Sequence, residues 1–227
     1  MSETLKSVAK NNPHQFELRN WLEEQILSGQ IKPGDRINEK DLCERFSVSR
    51  TPVREAILQL TTAGLITVRP RQGAIVTRMS VKQVAAMWEV LAGLEAQCAE
   101  LAATRMSLED RDKLIKIHET AGNVLNDSTV ERYDAANAAF HDLIYSASQN
   151  EYLGRLVRDL RKRLQPYRRL PFQRAGGMKR SFDGHDRIVQ AILAGDSRAA
   201  AEEMRSHVTG GLTFLDFIAE MPDDFEV

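Results

Sequence analysis

The chain has 227 residues, 42% hydrophobic and 28% charged, with a formal net charge of −1. That balance excludes a disordered tail or a fibre, and the length leaves room for one large or two ordinary domains. Aromatics are only 6% while Ala, Leu, Glu and Arg abound, which favours helix over an all-β sandwich. No apolar run approaches the roughly 18 residues of a spanning helix, no signal peptide opens the chain, and Cys43 and Cys98 lack metal-ligand spacing. The sequence reads as a soluble, cytoplasmic, helix-rich protein with two buried thiols.

In chain order, Phe16–Leu27 is predicted as an amphipathic helix stopped by Ser28-Gly29. Lys32-Pro33-Gly34-Asp35 has turn chemistry. Asn38 caps a short helix, Glu39–Phe46, with Asp41 facing its orphan amides. After the break Ser47-Val48-Ser49, a third helix starts at the N-cap Ser49, tolerates Pro52 in its first turn, and stops at Gly64. Two β-like stretches, Leu65–Val68 and Ala74–Thr77, flank the basic tip Arg69-Pro70-Arg71-Gln72-Gly73. Three short helices and a basic hairpin describe a winged helix-turn-helix over residues 10–78.

From Ser80 the pattern is helix after helix. Predicted helices cover Val81–Thr104, Ser107 to about Asn126, and Ser128 to about Ser148. Three more follow: Glu151–Leu170, interrupted at Pro166; Met178–Leu193; and Ser197 to about Ala219. Residues 79–222 are thus expected to form an all-α bundle for ligand binding and dimerisation, and the fold class is mainly α. The short linker is Met79-Ser80.

Charge separates the two parts. Residues 1–78 carry 12 Lys/Arg against 9 Asp/Glu, and residues 79–227 carry 19 against 23. Within 45–78 there are six arginines and a single acid, Glu55, the footprint expected of a surface that meets a polyanion.

The motif Ser49-Arg50-Thr51-Pro52-Val53-Arg54-Glu55-Ala56, with Leu60, Gly64 and Leu65 after it, resembles the DNA-binding domain of the GntR family of bacterial transcription regulators. Ile31-Lys32-Pro33-Gly34 upstream and Arg71-Gln72-Gly73-Ala74 downstream extend the match. The helical remainder is similar to the C-terminal effector domain of the FadR subgroup, called FCD. The resemblance implies a DNA-binding regulator, more often a repressor, and no enzyme. It also implies a homodimer on a pseudo-palindromic operator of double-stranded DNA, because a single winged domain makes a small footprint.

Arg50 and Arg54 match family positions that approach base edges, where the guanidinium fork suits guanine. Ser49 and Thr51 match positions on the phosphate backbone, and Lys40 and Arg45 positions near the DNA. Gly73 lets the wing backbone approach the minor groove, with Arg71 adding charge. Glu55 is expected to support Arg54 or a cap.

The family's effector domain carries an acid, three residues, then His, with one further His on each of two later helices. Asn137 and His141 match the first pair, and His185 and His207 match the others. The resemblance implies a divalent transition metal (Zn, Ni, Mn or Fe) beside a small-molecule effector, an organic acid or related metabolite. The sequence departs from the pattern twice. Asn137 stands where aspartate is usual and supplies no charge. Leu91 stands where many members hold an acidic ligand with arginine, which implies a less acidic ligand or another cation such as Arg158, Arg163 or Arg169. Arg163 and Tyr145 are the residues expected to contact the effector. The basic run Arg155–Arg169 is otherwise expected to be a solvated face, with room for one arginine turned inward, rather than a second nucleic-acid site, and His14 and His118 are expected to be on the surface. Two other readings remain open from the residues alone: a sensor in which the ion is the signal, and a metal-dependent hydrolase, against which stands the lack of a HExxH arrangement.

Overall fold

The computed structural model describes residues 13–127, 129–168, 172 and 175–210. Its contacts divide the chain into two units, with the boundary between Met79 and Ser80.

The first unit is built on α1 (Pro13–Leu27), α2 (Glu39–Phe46) and α3 (Arg50–Thr62). Leu18, Leu22 and Ile26 fall at helical spacing on α1 and are fully buried against Val53 and Leu60 of α3. Burying a side chain of that size stabilises by about 1.5–3 kcal/mol. Asn38 caps α2 by accepting a hydrogen bond from the Lys40 amide (3.0 Å). Ser49 holds the N-cap position of α3, but its hydroxyl makes no capping bond and stays exposed. The hairpin strands β1 (Ile66–Arg69) and β2 (Gly73–Val76) pair antiparallel, Ile66 opposite Val76 and Arg69 opposite Gly73. β1 starts one residue later than predicted because the Leu65 amide turns back to the Leu60 carbonyl (2.9 Å) and closes α3. The other edge of β2 is also paired: the Ile37 amide donates to the Ala74 carbonyl and the Val76 amide to the Asp35 carbonyl, each at 2.9 Å. The outer edge of the two-stranded wing is therefore covered by an isolated bridge, Arg36 opposite Ile75, rather than left bare.

The second unit holds α4 (Val81–Arg105), α5 (Leu108–Asp127), α6 (Val130–Ala147), α7 (Glu151–Arg168), α8 (Gly177–Ala194) and α9 (Ser197–Thr209). α4 opens with a reciprocal box between Ser80 and Gln83 and runs through the middle of the unit. Its inner face is Ala92, Ala96, Ala99, Ala102 and Ala103, small enough to let α8 and α9 approach closely. Thr129 takes the N-cap position of α6; Ser128 lies outside the described residues.

Late in the helical unit, the ends of two helices stand apart from the sequence reading. α7 continues through Pro166 to Arg168. A proline inside a helix costs about 3 kcal/mol, and buried Leu164, Tyr167 and Arg168 on the same last turns offset it. α9 ends at Thr209, where Gly210 adopts the left-handed conformation (φ 67°) of a C-terminal stop. The extension predicted to about Ala219 lies outside the described residues.

Candidate functional site

The first unit carries its basic side chains on one helix start and one hairpin tip. Ser49, Arg50, Thr51 and Arg54 are all exposed at the N-terminus of α3, where free amides and the helix dipole favour phosphate. Arg54 is not held by Glu55, as the sequence suggested. Its Nε donates to Glu39 Oε2 on α2 at 3.0 Å, so the neighbouring helix fixes its direction. Lys40 is exposed in an i, i+4 pair with Glu44 (3.6 Å). Arg45 is exposed, with its guanidinium 4.2 Å from the Trp21 ring centroid. On the wing, Arg71 and Gly73 both have positive φ (63° and 81°), and a Cβ on Gly73 would meet nothing within 4 Å, so the tip is open. Arg36 braces it, donating from Nε (3.0 Å) and Nη2 (2.6 Å) to the Gln72 carbonyl. Sequence reading missed both Arg36 and the Trp21 stack, because neither side chain lies within the motif it serves.

In the second unit, α6, α8 and α9 bring His141, His185 and His207 together. One ring nitrogen from each lies within 4.8 Å of the others. His141 Nε2 and His207 Nε2 are 3.3 Å apart, close to the roughly 3.4 Å expected of two imidazoles on one tetrahedral ion. His141 and His185 are fully buried. Neither nitrogen of His185 has a hydrogen-bond partner, and the Asn137 Oδ1, one turn before His141, has none either. Unpaired buried polar atoms are costly, and the three converging imidazoles have the donor chemistry of a metal site. Gly184 makes room: a Cβ there would lie 2.6 Å from His207 Nδ1.

Burial pulls the His141 imidazole down to about 4, and the Arg161 charge adds to this. Burial, then the neighbouring histidines, hold His185 and His207 well below the usual range. All three are therefore neutral at pH 7, with lone pairs available to an ion.

Behind the histidines lies a buried charge cluster. Glu95 Oε2 is 2.6 Å from His141 Nδ1, close in distance though poorly aligned for a hydrogen bond. Arg161 Nη1 donates to Glu95 Oε1 (2.8 Å) and to the Tyr145 hydroxyl (3.0 Å). Arg168 Nη1 lies 3.8 Å from Glu95 Oε1. Burial works to raise the Glu95 carboxyl, but His141, Arg161 and Arg168 together hold it well below its ordinary value. A carboxylate on the far nitrogen of a ligating imidazole is the arrangement that fixes a metal ligand's tautomer and orientation.

A cavity of about 410 Å³ reaches this cluster, lined among others by Trp88, Asn137, Arg168, Phe172, Arg180 and His207. Neither expected effector residue is on its wall. Arg163 is exposed, because two residues along a helix turn the side chain about 200° away from Arg161. Tyr145 is buried and buttresses Arg161 from behind. Of the alternative cations, Arg158 is engaged by Asp142 and Ser146, and Arg169 lies outside the described residues. The basic run is thus not wholly solvated: Arg161 and Arg168 point inward. The signal was present, since Leu153, Val157, Arg161, Leu164 and Arg168 share the apolar face of α7. Glu95 carried the same signal, sitting in the apolar stripe of α4. His118 is not a free surface residue. It stacks on Phe182 (4.4 Å) and contacts Asp186 (3.3 Å). The side chain of His14 lies outside the described residues.

Comparison with known proteins agrees with this architecture. Residues 17–76 match the family model "Bacterial regulatory proteins, gntR family", and residues 86–210 match "FCD domain". The chain is 27% identical to the Bacillus subtilis HTH-type transcriptional regulator YdhC, covering 93% of this chain and 95% of that protein. It is 31% identical to the Nta operon transcriptional regulator of Aminobacter aminovorans, over 80% and 85%. It is 28% identical to the Escherichia coli transcriptional repressor GlaR, over 83% and 89%. Among solved structures, E. coli McbR/YncC has the same fold, with a TM-score of 0.77 at 21% identity, covering 91% of this chain and 99% of that one. The chain belongs to the GntR family of bacterial regulatory proteins: it is a DNA-binding transcription regulator with an FCD effector domain, and not an enzyme.

Proposed function

We propose that the protein is a repressor that binds a pseudo-palindromic operator as a homodimer and changes its operator affinity when a small organic acid enters the helical unit beside a divalent transition metal. The observation that carries this reading is His185, a fully buried imidazole with neither nitrogen bonded, whose ring centre lies 5.2 Å from that of His141 and 4.6 Å from that of His207, the histidine that lines the cavity. His141, His185, His207 and the Asn137 oxygen would hold the ion, and Glu95 would orient His141. The bound ion supplies a positive charge that accepts a carboxylate oxygen. Arg50 and Arg54 would read bases, Ser49 and Thr51 would take phosphates, Lys40, Arg45 and Arg71 would add charge near the DNA, and Gly73 would let the wing backbone approach the minor groove. An effector moves operator affinity only by binding the operator-competent arrangement and its alternative unequally. The E. coli relative GlaR is itself named a repressor, which supports that direction of control.

The test is fluorescence anisotropy with DNA taken from upstream of the protein's own gene, using metal-loaded and chelator-stripped protein with a panel of organic acids. Operator release by an acid in the loaded form alone is the expected result. Identical operator binding under all conditions would contradict the proposal.

A further inference from the structure

The wing tip is a strained turn held from outside, and what this means for recognition rests on the reading above, in which the wing meets the minor groove. Pro70 and Arg71 fill the middle of a four-residue turn, which the Gln72 amide closes by donating to the Arg69 carbonyl at 3.2 Å. Arg71 has a φ of 63° there. Glycine or asparagine is the usual choice at that position, because the left-handed region crowds a Cβ. Gly73 follows with a φ of 81°, so Gln72 lies between two left-handed residues.

Arg36 reaches this turn from the neighbouring edge, where it stands opposite Ile75 in the isolated bridge. Its Nε (3.0 Å) and Nη2 (2.6 Å) both donate to the Gln72 carbonyl. Two donors on one oxygen fix the peptide between Gln72 and Gly73, and the planar guanidinium is the cationic side chain that offers two donors in a set geometry. No carboxylate among the described residues takes the charge. Asp35 beside it accepts from the Lys32 amide at 2.8 Å, and residues 66–78 contain no acid. Arg36, Arg69 and Arg71 are all exposed, so the tip carries three positive charges. An exposed bond of this kind adds little to the stability of the fold. What it does is order, in advance, a tip that would otherwise have to be ordered on the DNA.

We infer that Arg36 is a positioning residue for operator recognition. By pinning the Gln72 carbonyl it holds Arg71 in its left-handed conformation, and the Arg71 side chain then enters a narrow, A/T-rich stretch of minor groove beside each half-site. Such a groove concentrates negative potential and draws arginine without any contact to a base edge. This accounts for the strain: a turn alone is served better by glycine, but glycine has no charge to aim.

The experiment is selection from a random-sequence duplex library by the full-length protein, followed by anisotropy titration of the selected duplex with A/T or G/C pairs in its flanks. The wild type should enrich a core motif with an A/T-rich flank, and G/C pairs there should weaken binding by about fivefold or more. Arg36→Gln and Arg71→Gly should keep the core motif and bind the two flanks to within about twofold of each other. Both changes are at exposed positions, and glycine relieves the strained φ, so the urea midpoints should match the wild type. Arg36→Lys keeps the charge without the fork; it should keep the salt dependence of binding and lose most of the flank preference. Arg36→Gln combined with Arg71→Gly should lose no more preference than either change alone. Full flank preference in Arg36→Gln or Arg36→Lys, or additive losses in the double variant, would overturn the inference while leaving operator binding intact. A library from which the wild type selects no motif would overturn the operator reading itself.

Discussion

Glu95 on α4 and Arg161 on α7 meet at 2.8 Å in the core of the helical unit, 66 residues apart in sequence. The pair is unusual in its second duty: the other Glu95 oxygen faces the far nitrogen of His141. One carboxylate thus holds a structural arginine and aims a candidate metal ligand.

Glu95→Gln should therefore act on both. Removing one partner of a buried ion pair leaves Arg161 uncompensated and costs about 3–5 kcal/mol, read as a lower midpoint in urea. Metal affinity should fall about 10–100-fold in whatever folds, as for other changes behind a ligand. A variant of unchanged stability and metal content would remove Glu95 from this role.

The winged unit was legible in the sequence because its signals are local: a cap at Asn38, a glycine stop at Gly64, and turn residues at the wing tip, each acting within a few positions. The histidines were legible through their resemblance to a family pattern. What was not legible is the set of residues that only the packing of separate helices brings together. Arg161 and Arg168 read as part of a basic run, and only their phase on α7 shows that they turn inward. Arg163 failed as a candidate for the same reason, at the opposite phase. Pro166 reads as a break, and only the burial around it shows why the helix survives.

Arg54→Ala should cost roughly 1–3 kcal/mol of specific operator binding, at one position of each half-site, with dimerisation unchanged. Because Glu39 fixes the Arg54 direction, Glu39→Gln should weaken discrimination at the same base pair while raising affinity for unrelated DNA. Anisotropy against a set of single-base operator variants separates the two effects. Equal discrimination in both variants and the wild type would sink the assignment of Arg54 as a reader.

Gly184→Ala should displace His207, since the added carbon would lie 2.6 Å from its Nδ1. The expected outcome is about 1–3 kcal/mol of lost stability from overpacking, together with reduced metal content. Retained metal at full occupancy would show that His207 is not a ligand.

Acid should destabilise the chelated protein. His141 is lowered to about 4, and His185 and His207 are also lowered, so below about pH 6.5 the unfolded chain binds protons that the folded chain refuses. Glu95 is lowered too, and its contribution, present above the ordinary carboxylate range, is lost as pH falls through and below that range. All four shifts have the same sign. The urea midpoint should fall steadily from pH 7 to pH 4.5, and a flat or rising midpoint would contradict the burial argument.

Whether three helices hold one ion through their histidines is read by elemental mass spectrometry of untagged protein purified without chelator. About one transition-metal ion per chain is expected, lost in His185→Ala while the circular dichroism of the fold persists. Metal-free protein that takes up no zinc, nickel, manganese or iron on addition would contradict it.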